Sequence, residues 1–197
     1  MNARLRSGMA TLALCAAGLI GGCVTFEQSP VSRYHCDAAL IGDWQPAKTE
    51  ALKRPIQVAA DCRVRWPEDD GGTFETTLRS FELDDARYLA FTPGEADRLM
   101  DMDGDLVKSA PAGSLLLARY RIDGTEMKVW LADPEAALEP DANGKAAARK
   151  LEDRFAHVEG NRRATAKLLR ERGEALFRTS QTEGMTRFTR ITTDTTP

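Results

Sequence analysis

Asp101, Asp103 and Asp105 alternate around Gly104 in the run DMDGD, the one place in the chain where carboxylates stand at the spacing of a calcium loop. An EF-hand would continue with glycine at the sixth position and an acid at the twelfth. Leu106 and Ala112 occupy those positions, so the run reads as a solvated acidic loop. Other chemistry-bearing residues are sparse. His35 and His157 are the two histidines, set far apart, and neither has a candidate nucleophile beside it. His157 reads as a solvated or capping residue near a helix end. Glu68-Asp69-Asp70 precedes Gly71-Gly72 and reads as turn chemistry rather than a general acid and base. No glycine-rich phosphate loop, serine nucleophile elbow or paired-cysteine metal motif occurs. The expectation is a protein that is not an enzyme, with no catalytic residue, no bound metal and no cofactor.

The amino terminus carries a different kind of chemistry. MNARLRSG holds Arg4 and Arg6 and no acid, and MATLALCAAGLI (9–20) is an apolar run. About twenty residues are needed to span a bilayer, so this run is too short for a stable transmembrane anchor. Ile20-Gly21-Gly22-Cys23 follows at once. The segment resembles a bacterial lipoprotein signal with its lipobox. Cys15 fits that pattern less well, because Leu14 is too large for the cleavage position. The resemblance implies a signal peptide over 1–22, cleavage before Cys23, and lipidation of the Cys23 sulfur with acyl chains such as palmitate. Several chains, at roughly 0.8 kcal/mol per buried CH₂, make such an anchor effectively permanent. Val24 stands where retention in the inner membrane would call for Asp, which implies the outer membrane, facing the periplasm. The competing reading is an ordinary secretory signal with an incidental cysteine.

Removing 1–22 leaves one domain's length of chain, enough to bury a substantial core. Loss of Arg4 and Arg6 moves the net charge from −3 to −5. A mildly acidic, evenly mixed surface has no electrostatic footprint for nucleic acid and no polybasic patch for an anionic membrane. Cys36 and Cys62 are the two cysteines left over, and an even pair in an oxidising compartment is the composition of a disulfide. A metal site on His35 and Cys36 is the alternative, but adjacent ligands without further partners make a poor tetrahedron.

Residues 23–35 read as a lipidated tether, and short strands begin near residue 39. Leu40–Gln45 is the first, ended by Pro46. PIQVAA (55–60) and CRVRW (62–66) alternate apolar and polar positions. TFETTLRSFEL (73–83) is long, with an apolar phase that slips between Leu78 and Phe81, the mark of a bulge. ARYLAF (86–91) follows. Leu116, Ala118, Tyr120 and Ile122 share one face of a strand that turns at Asp123-Gly124. Met127, Val129 and Leu131 line the return strand, with Trp130 on its opposite, exposed face. Helices are expected from the Thr92–Glu95 capping box, from Asp133-Pro134, over Lys145–Ala156, and over Thr165–Arg172 with Gly173 as its stop. MTRFTRI (185–191) is the last strand, and 192–197 reads as a disordered tail.

About eight short consecutive strands suggest a mainly β fold, an up-and-down antiparallel barrel with a helical insert near 133–172 in a single domain over 36–191. Gly42-Asp43-Trp44 then resembles the Gly-x-Trp of lipocalin and wider calycin barrels, at the start of the first strand. That resemblance implies that Trp44 closes one barrel end under an Arg from the last strand. Arg187 and Arg190 are available, and Arg190 shares a face with Phe188. Trp44, Trp66, Trp130, Tyr88 and Tyr120 are then either core filling or ligand lining. The functional expectation is a lipid-anchored envelope protein holding a small apolar ligand, with a filled-barrel adaptor for an envelope protein as the alternative. A cavity above about 300 Å³ would separate the two.

Overall fold

The computed structural model describes residues 22–47, 54–68, 71–100, 104–141, 144–152, 154–182 and 184–192. The signal segment up to 21, Asp69, Asp70, Asp101, Asp103 and the tail from 193 lie outside the described residues. In chain order the elements are β1 (Cys23–Phe26), β2 (Gly42–Pro46), β3 (Ile56–Val58), β4 (Arg63–Pro67), β5 (Thr73–Thr77), β6 (Arg79–Leu83) and β7 (Ala86–Phe91). Next come α1 (Pro93–Met100), α2 (Asp105–Ser109), β8 (Leu115–Asp123), β9 (Glu126–Leu131) and α3 (Pro134–Leu138). The chain ends with β10 (Arg149–Glu152), β11 (Phe155–Val158), α4 (Arg162–Leu176) and β12 (Met185–Arg190).

The fold is mainly β, one sheet in the order β10-β11-β1-β8-β9-β12-β2-β3-β4-β5, with β7 on the other edge of β8 and β6 beyond it. Every neighbouring pair is antiparallel except β1 with β11. The expected closed eight-stranded barrel is not formed. Leu78 breaks the long strand 73–83, and its amide donates to the Cys62 carbonyl at 2.9 Å. Before the break β5 pairs with β4, and after it β6 pairs with β7. The two halves of the sheet therefore meet through the covalent chain at Leu78, and the hydrogen-bonded path stays open.

Alternation decides what each face of the sheet covers. On β8, Ala118 and Tyr120 join Leu40, Trp44, Ile56, Val58, Val64 and Phe188 in an inner cluster. Leu117 on the opposite face joins Phe26, Phe81, Tyr88 and Trp130 in an outer cluster, covered by Leu169, Leu176 and Phe177 at α4. Trp130 is thus buried, contrary to expectation. A residue turned away from the inner face still finds a core here, because α4 lies over that side and Gln181 O accepts from the Trp130 indole at 3.4 Å. Gly173 does not stop α4, which runs on to Leu176. A β-carbon there would stand 3.1 Å from the Tyr88 hydroxyl, so the glycine lets helix and sheet approach.

Three further expectations change. Residues 23–26 are no tether but a fully buried strand between β8 and β11. The helix expected over Lys145–Ala156 is the β10–β11 hairpin, and all four residues of β11 are buried. Helix formers in that stretch yield because FAHV gains apolar contact on both faces of the sheet, which outweighs tenths of a kcal/mol in propensity. The insert near 133–172 is therefore a mixture of α3, the hairpin and α4. Cys36 and Cys62 are joined, with their Cα atoms 5.6 Å apart and a sequence separation of 26. A loop of that length corresponds to roughly 3 to 4 kcal/mol in the chain-entropy account.

Candidate ligand-binding site

The inner faces of β2, β3, β4, β7, β8, β9 and β12, with Thr76 of β5, line a half-open cavity of about 1220 Å³, roofed by α1 and α2. Ligand pockets commonly measure roughly 300 to 1,000 Å³, so this space exceeds what core packing leaves by accident. Its wall is mostly hydrocarbon and aromatic, with Trp44, Trp66, Leu89, Phe91, Val129 and Phe188 supplied by five different strands. Each stands on the inward side of its strand because period-two alternation sends its neighbours outward.

The floor is built by Trp44. Its ring is fully buried, and Nε1 donates to the Leu40 carbonyl at 2.7 Å. Arg190 is opposite Trp44 in the β2–β12 register, and its guanidinium carbon lies 4.5 Å from the ring centroid. The same guanidinium donates to Ile41 O at 3.1 Å and Ala39 O at 2.6 Å. One arginine thus ties the last strand to the 3₁₀ turn Ala38–Leu40 and covers the indole. Arg187, the other candidate, reaches Glu126 at 3.7 Å instead. Asp37 starts the 3₁₀ turn by accepting from Ala39 N at 2.9 Å, and it accepts the Tyr120 hydroxyl at 2.7 Å. Burial raises the Asp37 pKa, but the hydrogen bonds from Tyr120 and Ala39 and the charges of Arg87 and His35 outweigh it and hold the group below the usual carboxylate range. Burial, and then Asp37 itself, push the Tyr120 phenol upward. The pair is a carboxylate and a neutral phenol across the neutral range, which makes it a structural clamp.

The roof is held from three sides. Thr92 and Glu95 form the expected capping box, with Thr92 N donating to Glu95 at 2.7 Å and Glu95 N to the Thr92 hydroxyl at 3.3 Å. Glu95 also accepts from Thr76 at 2.6 Å and pairs with Arg79. Asp97 is buried and accepts the first amides of α2, Leu106 N at 3.0 Å and Val107 N at 2.9 Å. Arg98 pairs with Glu68 at 2.5 Å and lies 4.1 Å over the Phe74 ring. Of the wall's charged and hydroxyl groups, Glu68, Thr76, Asp97, Arg98 and Lys108 are engaged with protein partners, Thr186 of β12 adds one further hydroxyl, and the rest of the wall is mostly hydrocarbon. Asp105, the described end of the acidic run, pairs with Lys108 at 3.5 Å and Arg154 at 3.3 Å. Among the described residues no group of three His, Cys, Asp or Glu side chains could hold a metal ion.

Other expected site residues fall elsewhere. His157 is buried in β11 rather than solvated at a helix end, with Nδ1 2.9 Å from the Thr25 hydroxyl. Burial, then Arg149, lower its pKa against Glu159 and Glu27, so it is neutral at pH 7. His35 pairs through its backbone with Ser80, 2.9 Å from His35 N to Ser80 O. Tyr88 lies in the outer cluster, stacked on Phe81 at 5.0 Å between centroids. Cys23 is 2 % exposed and packs with Ala96, Leu106, Leu116 and Phe155. Burial, and then Asp97, push its thiol up to about 11, against Arg154. The thiolate is the reacting species. Unmodified Cys23 is therefore expected to resist maleimide at pH 8 in the folded chain and to react at once in denaturant. Equal rates in both conditions would mean that β1 does not hold this position.

Sequence reasoning found Trp44, Arg190 and the disulfide, but not the cavity's Leu89, Phe91 and Phe188, nor the roof's Asp97 and Arg98. Alternation in ARYLAF and MTRFTRI carries a signal for the first three. Asp97 and Arg98 had none, because their partners are distant in sequence. Comparisons of the chain with protein-family models, with curated proteins and with solved structures find no match.

Proposed function

We propose that this protein is a non-enzymatic binding protein that holds a small, largely apolar ligand in the cavity between the sheet and the α1–α2 roof. One observation carries the reading: about 1220 Å³ of space walled mostly by apolar side chains, with the charged groups of the wall paired to protein. Such a space binds by removing ligand surface from water, at roughly 25 cal/mol per Å² of apolar area. The arrangement is lipocalin-like in the way the ligand would be held, with a tryptophan-and-arginine plug at one end of an antiparallel sheet. The lipobox at Ile20–Cys23 supports anchoring through Cys23 at the outer membrane, facing the periplasm. The adaptor alternative calls for a filled interior, and nothing in the cavity favours it.

The experiment is a titration of the full chain with N-phenyl-1-naphthylamine, an apolar dye that fluoresces when it leaves water. Saturable enhancement, competed away by an unlabelled long-chain amphiphile, is the expected result. A linear, non-competable response would remove the ligand-binding reading.

A further inference from the structure

Three large apolar side chains are exposed among the described residues: Val107 at 52 %, Leu131 at 37 % and Ile191 at 40 %. Single exposed aliphatics are ordinary on a protein surface. Here two of the three, Val107 on α2 and Leu131 at the end of β9, also line the cavity, so they stand on its rim. Val107 is fixed there by construction. Asp97 caps α2 and thereby turns Leu106 fully inward and its neighbour outward. Apolar surface is thus continuous from the interior to the water-exposed edge at this end.

Cys23 belongs to the same end. It packs with Ala96 of α1, Leu106 of α2 and Leu116 of β8, and Ala96 and Leu116 are themselves cavity wall. It is also the first residue of β1, with its amide donating to Arg154 O at 3.0 Å. A group attached at Cys23 would therefore be joined to the domain with no slack, beside the roof helices. Arg98, Lys108 and Arg154 surround this end with exposed side chains, each meeting Glu68 or Asp105. Long basic side chains lay their stems on apolar surface and keep the charge at the level of lipid headgroups.

We propose that the α1–α2 end is the face this protein sets against a lipid bilayer, with Val107 and Leu131 entering its apolar edge, and that the cavity takes the acyl chain of a membrane lipid through that rim. The inference rests on the ligand-binding reading and names its substrate class. An acyl chain suits a wall that is mostly hydrocarbon with its charged groups paired, since it brings no hydrogen-bonding atom inside and leaves its headgroup at the charged, polar rim.

The test is uptake of pyrene-labelled phosphatidylethanolamine from phosphatidylethanolamine and phosphatidylglycerol vesicles by the full chain, followed as loss of excimer fluorescence. Val107→Glu combined with Leu131→Glu is compared with wild type and with Ile191→Glu, an equally exposed aliphatic outside the cavity wall. Binding of N-phenyl-1-naphthylamine without vesicles reports whether each variant keeps its fold and cavity. The rim pair is expected to slow uptake about tenfold or more, the scale of withdrawing one aliphatic side chain from an apolar phase. Uptake by Ile191→Glu is expected to stay at the wild-type level, and the rim pair is expected to lose far more in uptake than in dye affinity, because the dye enters from water without a bilayer contact. Uptake unchanged in the rim pair, or lowered equally by Ile191→Glu, overturns the inference. So does a wild-type chain that binds dye yet takes no lipid, which leaves the ligand-binding reading standing. A chain that binds neither overturns that reading and this inference with it. If the glutamates abolish dye binding, Val107→Ser with Leu131→Ser makes the same comparison without buried charge.

Discussion

Ala118→Trp together with Val129→Trp is expected to weaken binding of an apolar ligand about a hundredfold or more while costing the fold no more than about 1 to 3 kcal/mol. Both positions lie on inward faces of the β8–β9 hairpin and both line the cavity. Ala118 is fully buried and brings only a methyl group to the wall. Two indoles placed there occupy volume that the ligand would otherwise fill, and each roughly 1.4 kcal/mol of lost ligand burial is a factor of ten in affinity. Overpacking a dense core costs about 1 to 3 kcal/mol, and that is the bound expected here, since Ala118 is packed in the inner cluster while Val129 is only half-buried. Dye titration and urea unfolding of the same preparation separate the two effects. Unchanged affinity would put the binding site elsewhere, and a large loss of stability would mean that the space collapses in solution.

Trp44→Ala is expected to cost about 3 to 5 kcal/mol of stability, the range for truncating a large buried aromatic. Three losses coincide. The ring leaves its buried place against Ile56 and Phe188 in the inner cluster. Leu40 O loses the indole donor at 2.7 Å. Arg190 loses the surface its guanidinium covers, a contact of about 0.5 to 2 kcal/mol. The buried Arg190 Nε has no hydrogen-bond partner among the described residues, so the ring is what it packs against. Trp44→Phe keeps much of the apolar volume and drops the hydrogen bond, so about 1 to 2 kcal/mol is expected. Chemical denaturation checks both. A loss under about 1 kcal/mol for Trp44→Ala, the size of a surface change, would mean that the plug does not bear on folding.

Local patterning and tertiary context divide this protein between them. The hairpin at Asp123-Gly124, the capping box at Thr92–Glu95 and the strands of alternating residues are all written in neighbouring residues, and the cysteine pair is written in composition. Their physics acts over a turn or a strand, so they are legible without a structure. Trp44 with Arg190 was legible too, because a resemblance named the partner before the β2–β12 register placed the two opposite each other. Residues 145–156 were not, since their helix-forming composition is overruled only when FAHV finds β10 and β1 on its two edges. Nor was Trp130, which looks outward from its hairpin until α4 is laid across it. The break between β5 and β6 lies at Leu78, whose amide bonds a carbonyl sixteen residues earlier in the chain. The cavity is the largest feature that only the tertiary structure decided. Whether inward side chains touch or leave a space depends on how far apart the strands curve and on what roofs them. Alternation says which way a residue points, and the distance to whatever it faces is set by the rest of the chain.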